Sequence, residues 1–559
     1  FSAEDYVTRP QAADDERIEV GVLIVGAGSA GLACAVRLGQ LLADDPALTE
    51  ELGEVPVAVA EKGKAAGSHL LSGAVMRPGA LKELFPDVAP ADIPHYTEVE
   101  GEKVFLMTKG GKVRIPAPPQ LHNKGNWVVS VSQLARWMSE QAEELGAFRR
   151  PETDAQKVLI DRGRVVGVVT GDKGRGKEGE ELSTFEPGAE VRAKVTVLAE
   201  GTQGHLAGVV RSHYDLDRDS IQTWELGVKE VWRVATPLKD VIHTLGWPLR
   251  FGKKYREYGG SWIYPMGDDM VSIGFVVGLD YADATLSCHD VLQQFKTHPY
   301  VKGILEGGER LTWGAKTIPG SGIWGLPSRL HVPGALFVGD AAGFVDLSTL
   351  KGVGYAIRSG MLAADAIYES LKAGRAESTA GLWGYDERIK KSEVWDDLWK
   401  ARNIRPAFQR GFAYGGMVHM MATATKGKMP KKVKPIVDAK EPIFLGDRSY
   451  PAPDGSLTFD KLSSVFASGN QTRDDQPNHI RVRTKVPREL AVAWESMCPA
   501  KVYEVAEDEP QNGTVTVRLN PSNCVQCGAI TAKGGQLTPP EGGSGPEYTI
   551  CLLYTSPSP

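Results

Sequence analysis

Cysteine is scarce in this chain: six residues among 559, four of them beyond position 497. A set so sparse and so lopsided builds no disulfide framework and fits a reducing compartment. Long hydrophobic runs are missing as well. The stretch nearest to a membrane span, Val20 to Ala43, contains Arg37 and five glycines and reads as strand, turn and helix instead. Positive charge is not in excess. With 64 Lys and Arg against 70 Asp and Glu, the net charge is −6, which argues against a general nucleic-acid binder. No secretory leader is visible, although the first residue is Phe1 rather than Met, which leaves a preceding leader open. The remaining composition is that of a soluble globular protein, long enough for three or four units of roughly 150 residues. The final nine residues, Cys551 to Pro559, back-translate to a string that looks like a transposase sequencing adapter read in frame. The segment 551–559 is therefore set apart as an artefact of sequencing, and Cys551 is given no role.

The segment with most chemistry is Gly26-Ala-Gly-Ser-Ala-Gly31, which follows the apolar run Val20 to Val25 and opens a predicted helix. In such a motif Gly26 makes a tight turn, Gly28 admits backbone to a pyrophosphate, and Gly31 lets helix and strand pack closely. The helix N-terminus beginning at Ser29, with about half a positive charge, then faces the phosphates. A second apolar run, Val55 to Ala60, ends at Glu61, whose carboxylate can accept both ribose hydroxyls. Its distance from Gly28 exceeds the usual spacing of about 20 residues, because Leu41 to Glu54 reads as an insertion. Alone, the glycines describe a tight turn with no ligand equally well. Two later segments add weight. Val195 to Gly201 is an apolar strand ending in a glycine turn, and Gly334 to Gly343 is another, ending at Gly339-Asp340 just before a helix. Asp340 can accept from a ribityl hydroxyl or cap a helix, and Gly343 behind it permits close approach to phosphate. The three segments, in this order, look like the glutathione-reductase-type FAD fold.

Between Gly201 and Gly339 the chain is rich in strands, including Ser261 to Tyr264 and Val271 to Val277, and predicts an antiparallel sheet. Lys351 to Leu371 predicts a helix, and Trp383 to Ala401 an amphipathic one. Cys34, in the first helix, and Cys288, in a loop, read as packing residues. Cys498, Cys524 and Cys527 form a thiol group near the end. An iron–sulfur-like site beside a dinucleotide site implies electrons moving between a one-electron and a two-electron carrier.

Several blocks then resemble the electron transfer flavoprotein–ubiquinone oxidoreductase family. They include His243-Thr-Leu-Gly-Trp-Pro-Leu249, Tyr258-Gly-Gly-Ser-Trp262, Gly274-Phe-Val-Val-Gly-Leu-Asp-Tyr281, Arg402-Asn-Ile-Arg-Pro406 and Cys498-Pro-Ala-Lys-Val-Tyr-Glu504. The resemblance runs from about Val20 to Tyr548 with the blocks in the family's order. It implies an α/β protein, α+β overall, in four parts. These are a first FAD-binding segment (1–207), an antiparallel-sheet quinone domain (208–325), an FAD-domain return with a helical membrane-surface region (326–449), and a small ferredoxin-like iron–sulfur domain (450–550). It further implies a peripheral membrane enzyme that takes electrons singly from reduced electron transfer flavoprotein and delivers them in pairs to ubiquinone, or to menaquinone. Its place would be the cytoplasmic face of a bacterial inner membrane, or the matrix side of the mitochondrial one. By the same resemblance Gly259 and Gly260 lie at the quinone head group; read locally, they describe a bulge or strand crossing. The relay needs no general acid or base.

Membrane attachment in the family uses an apolar surface, matched here by roughly Val113 to Trp127 and Phe408 to Ala424. The second stretch is followed by Lys426, Lys428, Lys431, Lys432 and Lys434, a pattern that suits an anionic lipid surface. A core helix followed by a solvated lysine loop fits the same residues. The family holds a [4Fe–4S] cluster with one Cys and a distant C-x₂-C-x₂-C. Cys498, Cys524 and Cys527 match the first three, whereas Ile530 stands at the last and offers no ligand atom. A [4Fe–4S] cluster with a ligand such as hydroxide, a [3Fe–4S] cluster and no cluster all follow; zinc is poorer, with no His near the pair. Two rivals remain: a soluble FAD-dependent reductase or hydroxylase of the geranylgeranyl-reductase type, and a cluster-less descendant that only binds the partner.

Overall fold

The computed structural model describes residues 2–548 apart from 14–15, 268, 379, 430–431, 439–442, 507–508 and 511. Lys431 and the segment 551–559 lie outside the described residues.

The first apolar run folds as the strand Ile18–Val25, and its last six residues are all buried. It pairs in parallel with Val57–Ala60 on one side and Glu190–Leu198 on the other; Ala335–Phe337 in turn runs parallel to Glu190–Leu198. Strands covered on both faces read as continuous apolar runs, which is why these segments show no alternation. They form the centre of a nine-stranded sheet. The helix Ser29–Ala43 crosses one face and packs along Val353–Lys372 through small residues. A Cβ at Gly360 would lie 2.1 Å from the Ala30 carbonyl oxygen, so only glycine permits this approach. The expected insertion is accounted for: the first helix runs on to Ala43 and a short helix, Pro46–Glu51, follows before the next strand.

The second sheet has seven strands, in the order Glu309–Pro319, Trp224–Arg233, Met270–Gly278, Gly259–Pro265, Asp240–Gly246, Gly101–Met107, Lys112–Ile115. The last two correct the expected boundaries. Residues 101–115 fall within the segment assigned to FAD binding, yet they extend this sheet, Gly101–Met107 pairing in parallel with Asp240–Gly246. Partners some 140 positions apart leave no local mark (Gly101 pairs with Asp240). Two smaller corrections follow. Cys288 begins the helix Cys288–Lys296 rather than sitting in a loop, and Trp383 to Ala401 is two helices, Trp383–Lys390 and Glu393–Ala401.

At the C-terminal end the helix Arg488–Met497 packs on a sheet of Lys485–Pro487, Thr514–Leu519 and Tyr503–Val505. Its Trp494, Cys498 and Tyr503 share one apolar cluster with Leu226, Phe275 and Trp313 of the second sheet. This end of the chain is therefore joined to the second sheet by a common core. The mixed α/β architecture agrees with the expected fold class.

Candidate functional site

Four chain reversals meet at the carboxyl edge of the parallel strands. Val25 leads into Gly26, Ala60 into Glu61, Leu198 into Glu200-Gly201, and Phe337 into Gly339-Asp340. Crevices at this edge are where open α/β sheets bind ligands. Here the edge opens into a cavity of about 450 Å³, lined by Gly26, Gly28, Ser29, Glu61, Gly201 and Asp340 among others. That volume lies within the range of organic cofactor sites.

The glycines divide by task. Gly28 precedes the helix with no side-chain cap, and a Cβ there would meet nothing within 4 Å, so bare first-turn amides face the cavity. Gly31 does not line it. A Cβ at Gly31 would lie 2.1 Å from the Gly26 carbonyl oxygen, so this glycine serves helix–strand contact. Gly339 and Gly343 also stand behind the wall, with φ of 58° and 99°; they shape the turn that presents Asp340. Glu61 is fixed by two backbone donors, Ala27 N–H at 2.9 Å and Gly63 N–H at 2.7 Å, which leaves lone pairs on both oxygens. Burial pushes the Asp340 carboxyl up to about 6, with Lys316 pulling the other way.

The cavity continues under the second sheet, where it meets residues that sequence reasoning missed. Lys229, Lys316 and Lys351 line it, and burial lowers them to about 7, 8 and 7. The Lys229 ammonium, like the Thr202 hydroxyl and the Gln203 amide, is buried with no hydrogen-bond partner among the described residues. Such groups are costly unless a polar ligand satisfies them. Nothing in the sequence marks them: Lys229 stands beside Glu230 in the strand Trp224–Arg233, and Lys316 lies between Ala315 and Thr317. Together with the anion-ready helix terminus, these residues fit FAD.

The thiols lie next door. Cys498, Cys524 and Cys527 line one small cavity together with Ile530. Val502 N–H points at the Cys498 sulfur and Gln526 N–H at that of Cys524, each at 3.4 Å. Burial pushes the Cys524 and Cys527 thiols up to about 12, so they stay protonated unless a metal replaces the proton. Among the described residues no group of three or more His, Cys, Asp or Glu is placed to hold a single metal ion. The loop between the last two cysteines is pinned to the second sheet. Thr317 donates to the Cys527 carbonyl through N–H (2.9 Å) and hydroxyl (2.8 Å), and Lys316 Nζ donates to that of Gln526 at 3.1 Å. Lys62, next to Glu61, donates to the Gln526 side chain at 2.5 Å. Gln526 and Gly528 thereby line the 450 Å³ cavity, while Cys524 and Cys527 line the thiol cavity.

Gly259 and Gly260 begin their strand, and neither lines the large cavity. Cβ atoms there would lie 2.0 Å from the Val276 oxygen and 2.5 Å from the Thr244 oxygen. Close strand approach by itself requires both glycines. Tyr258, just before them, lines a separate cavity of about 260 Å³ with Phe251, Phe408 and Phe412. Behind it, buried Arg405 donates to Glu225 at 2.6 Å and Asp280 at 2.7 Å, which ties the Arg402 to Pro406 block to the sheet. Of the two apolar stretches, the helix Phe412–Ala424 is exposed at Phe412, Tyr414, Met417, Met420 and Met421. In the other, Val113 is exposed but Trp127 is buried, stacked on His95 at 4.3 Å. Among the described residues no helix is long and apolar enough to cross a membrane.

A parallel sheet with a glycine turn at its carboxyl edge, a cavity of about 450 Å³ there and a covering second sheet define the class: an FAD-dependent oxidoreductase, with a cysteine-bearing module added. The fold is similar to a geranylgeranyl bacteriochlorophyll reductase-like protein of Thermoplasma acidophilum. That comparison gives a TM-score of 0.54 at 18% identity, covering 76% of this chain and 93% of the other. Two family models match: ETF-QO, ubiquinone-binding, over residues 224–318, and electron transfer flavoprotein-ubiquinone oxidoreductase, 4Fe-4S, over residues 455–549. Among curated relatives, the mitochondrial electron transfer flavoprotein-ubiquinone oxidoreductase of Oryza sativa subsp. japonica is 39% identical, covering 96% of this chain and 93% of that protein. The Pseudomonas aeruginosa electron transfer flavoprotein-ubiquinone oxidoreductase is 38% identical, covering 95% and 99%. This chain belongs to the electron transfer flavoprotein–ubiquinone oxidoreductase family.

Proposed function

We propose that this chain takes electrons from reduced electron transfer flavoprotein and passes them to ubiquinone or menaquinone at a membrane surface. The observation that carries the reading is the shared wall: Gln526 and Gly528 line the large cavity while Cys524 and Cys527 line the thiol cavity. When bound, an iron–sulfur cluster supplies one-electron acceptance and FAD supplies two-electron storage, so that single electrons leave as a pair.

The chain's own residues hold and orient. The bare amides at Gly28 and Ser29 receive the pyrophosphate, Glu61 the ribose hydroxyls and Asp340 a ribityl hydroxyl. Gly26, Gly31, Gly201, Gly339 and Gly343 shape the turns around them. Lys229 and Lys316 place positive charge beside the cavity. Gly259 and Gly260 lie at the quinone head group, reached along the aromatic cavity beside Tyr258. The exposed face of Phe412–Ala424, with Lys426, Lys428, Lys432 and Lys434 behind it, rests on the lipid. The membrane is the bacterial inner membrane on its cytoplasmic face, or the mitochondrial inner membrane on its matrix side. Quinone protons come from water, so no general acid or base is assigned. The four-part division of the chain is kept, with residues 101–115 moved to the quinone part.

The test is a quinone-reduction assay with reduced electron transfer flavoprotein and a short-chain quinone, with NADH as the control donor. Reduction by the flavoprotein and none by NADH is expected. Consumption of NAD(P)H and oxygen without quinone would move the chain to the soluble hydroxylases, and partner binding without electron transfer to the cluster-less reading.

A further inference from the structure

The fourth corner of the thiol cavity is built differently from the other three. Ile530 fills it, 3% exposed, on the 3-10 turn Ala529–Lys533. The turn is anchored at both ends. Its Ile530 carbonyl accepts Gly535 N–H at 3.1 Å, and its Lys533 carbonyl accepts the Trp494 indole N–H at 3.0 Å. Ile530 is also seated firmly: a Cβ at Gly535 would lie 2.5 Å from its Cγ1 and 2.7 Å from the nearest side-chain atom of Val482. The other side chains around the cavity include Met497, Val502 and Leu537, and Tyr503 brings the one phenol. Among the described residues no carboxylate, imidazole or aliphatic hydroxyl lines it. A water or hydroxide held there would need two to four polar partners, and besides the thiols the lining side chains offer one, the Tyr503 phenol. The three thiols, by contrast, converge on a single void.

We infer that Cys498, Cys524 and Cys527 hold a [3Fe–4S] cluster, in which every iron has a cysteine, and that Ile530 closes the corner a fourth iron would occupy. The inference rests on the reading of these cysteines as cluster ligands. It narrows three alternatives left open by the sequence to one. The physical reason is that iron in these clusters is held by thiolate. At the fourth corner it would find no thiolate, only the Ile530 side chain. A trinuclear cluster remains a one-electron carrier, so the entry of single electrons is preserved.

The test uses the full-length flavin-bound chain, purified anaerobically and reconstituted with ferrous iron and sulfide. Iron and sulfide analysis is paired with low-temperature EPR of oxidised and dithionite-reduced samples. Three irons to four sulfides per chain are expected, with the EPR signal in the oxidised sample. Ile530→Cys restores a thiolate; its iron content should rise from three to four per chain, and the signal should move to the reduced sample. Ile530→Val serves as the packing control and should keep the trinuclear cluster, as should Tyr503→Phe. Four irons and a reduced-state signal in the unaltered chain overturn this inference alone, leaving the proposed relay intact. Protein that binds FAD but takes up no iron overturns the inference and also removes the cluster from the proposed function.

Discussion

At the scale of single residues, the most consequential finding is a cation with nothing to hold. Among the described residues Lys229 is buried against the cavity without a hydrogen-bond partner, and burial alone lowers it to about 7. Its folded-state value lies below the ordinary one of about 10.4, so between those limits the unfolded chain binds more protons. Stability must therefore rise with pH across that window, and the full penalty applies below about 7. In flavin-stripped protein, Lys229→Met should raise the melting temperature at about pH 6, with the gain over the parent chain fading toward about pH 10. A gain independent of pH would mean that Lys229 is not the buried cation described. Lys351 and Lys316 titrate in overlapping ranges, so the variant should reduce the slope without flattening it.

Elements set the flavin end of the cavity, and two neighbouring glycines separate fold from binding. The helix Ser29–Ala43 sits where Gly31 lets it, because a Cβ there would press on the Gly26 oxygen. Gly31→Ala should cost about 1–3 kcal/mol through overpacking and release the flavin as well. Gly28 faces open space with ordinary φ, so Gly28→Ala should leave the melting temperature unchanged and weaken flavin retention only. Thermal melts and bound-flavin absorbance on both variants distinguish the two roles; equal losses would show that Gly28, too, is structural. These strands and their turns were legible in the sequence because fully buried strands are apolar throughout and turns at a sheet edge need glycine. The seven-stranded sheet was legible only in its middle. Gly101–Met107 and Lys112–Ile115 escaped because strand pairing across so long a separation writes no periodicity into either partner.

At the scale of the molecule, three features stand out: the flavin cavity, the adjoining thiol cavity, and, apart from both, an exposed apolar helix. Met417 is 52% and Met420 70% exposed on that helix, beside Phe412 and Tyr414. Burying one such side chain contributes about 1.5–3 kcal/mol. Changing Met417 and Met420 together to Glu should therefore lower partition onto anionic lipid vesicles at least about tenfold, measured by flotation, with flavin content unchanged. Equal flotation of variant and parent would detach the helix from membrane binding. The thiol-bearing end of the chain and the second sheet, which covers the large cavity, share one continuous apolar core.

The sequence by itself determined the chemistry that depends on residue type. It gave up the glycine turn, the carboxylate at the end of the second strand, the three cysteines and the missing fourth, because each of these is a property of what a side chain is or lacks. The tertiary structure alone decided which groups are neighbours. It brought Gln526 to the flavin cavity, left Lys229 without a hydrogen-bond partner among the described residues, moved residues 101–115 into the second sheet, and set a buried Ile530 in the lining of the thiol cavity. Burial and proximity arise from contacts between distant segments, and no single segment carries them.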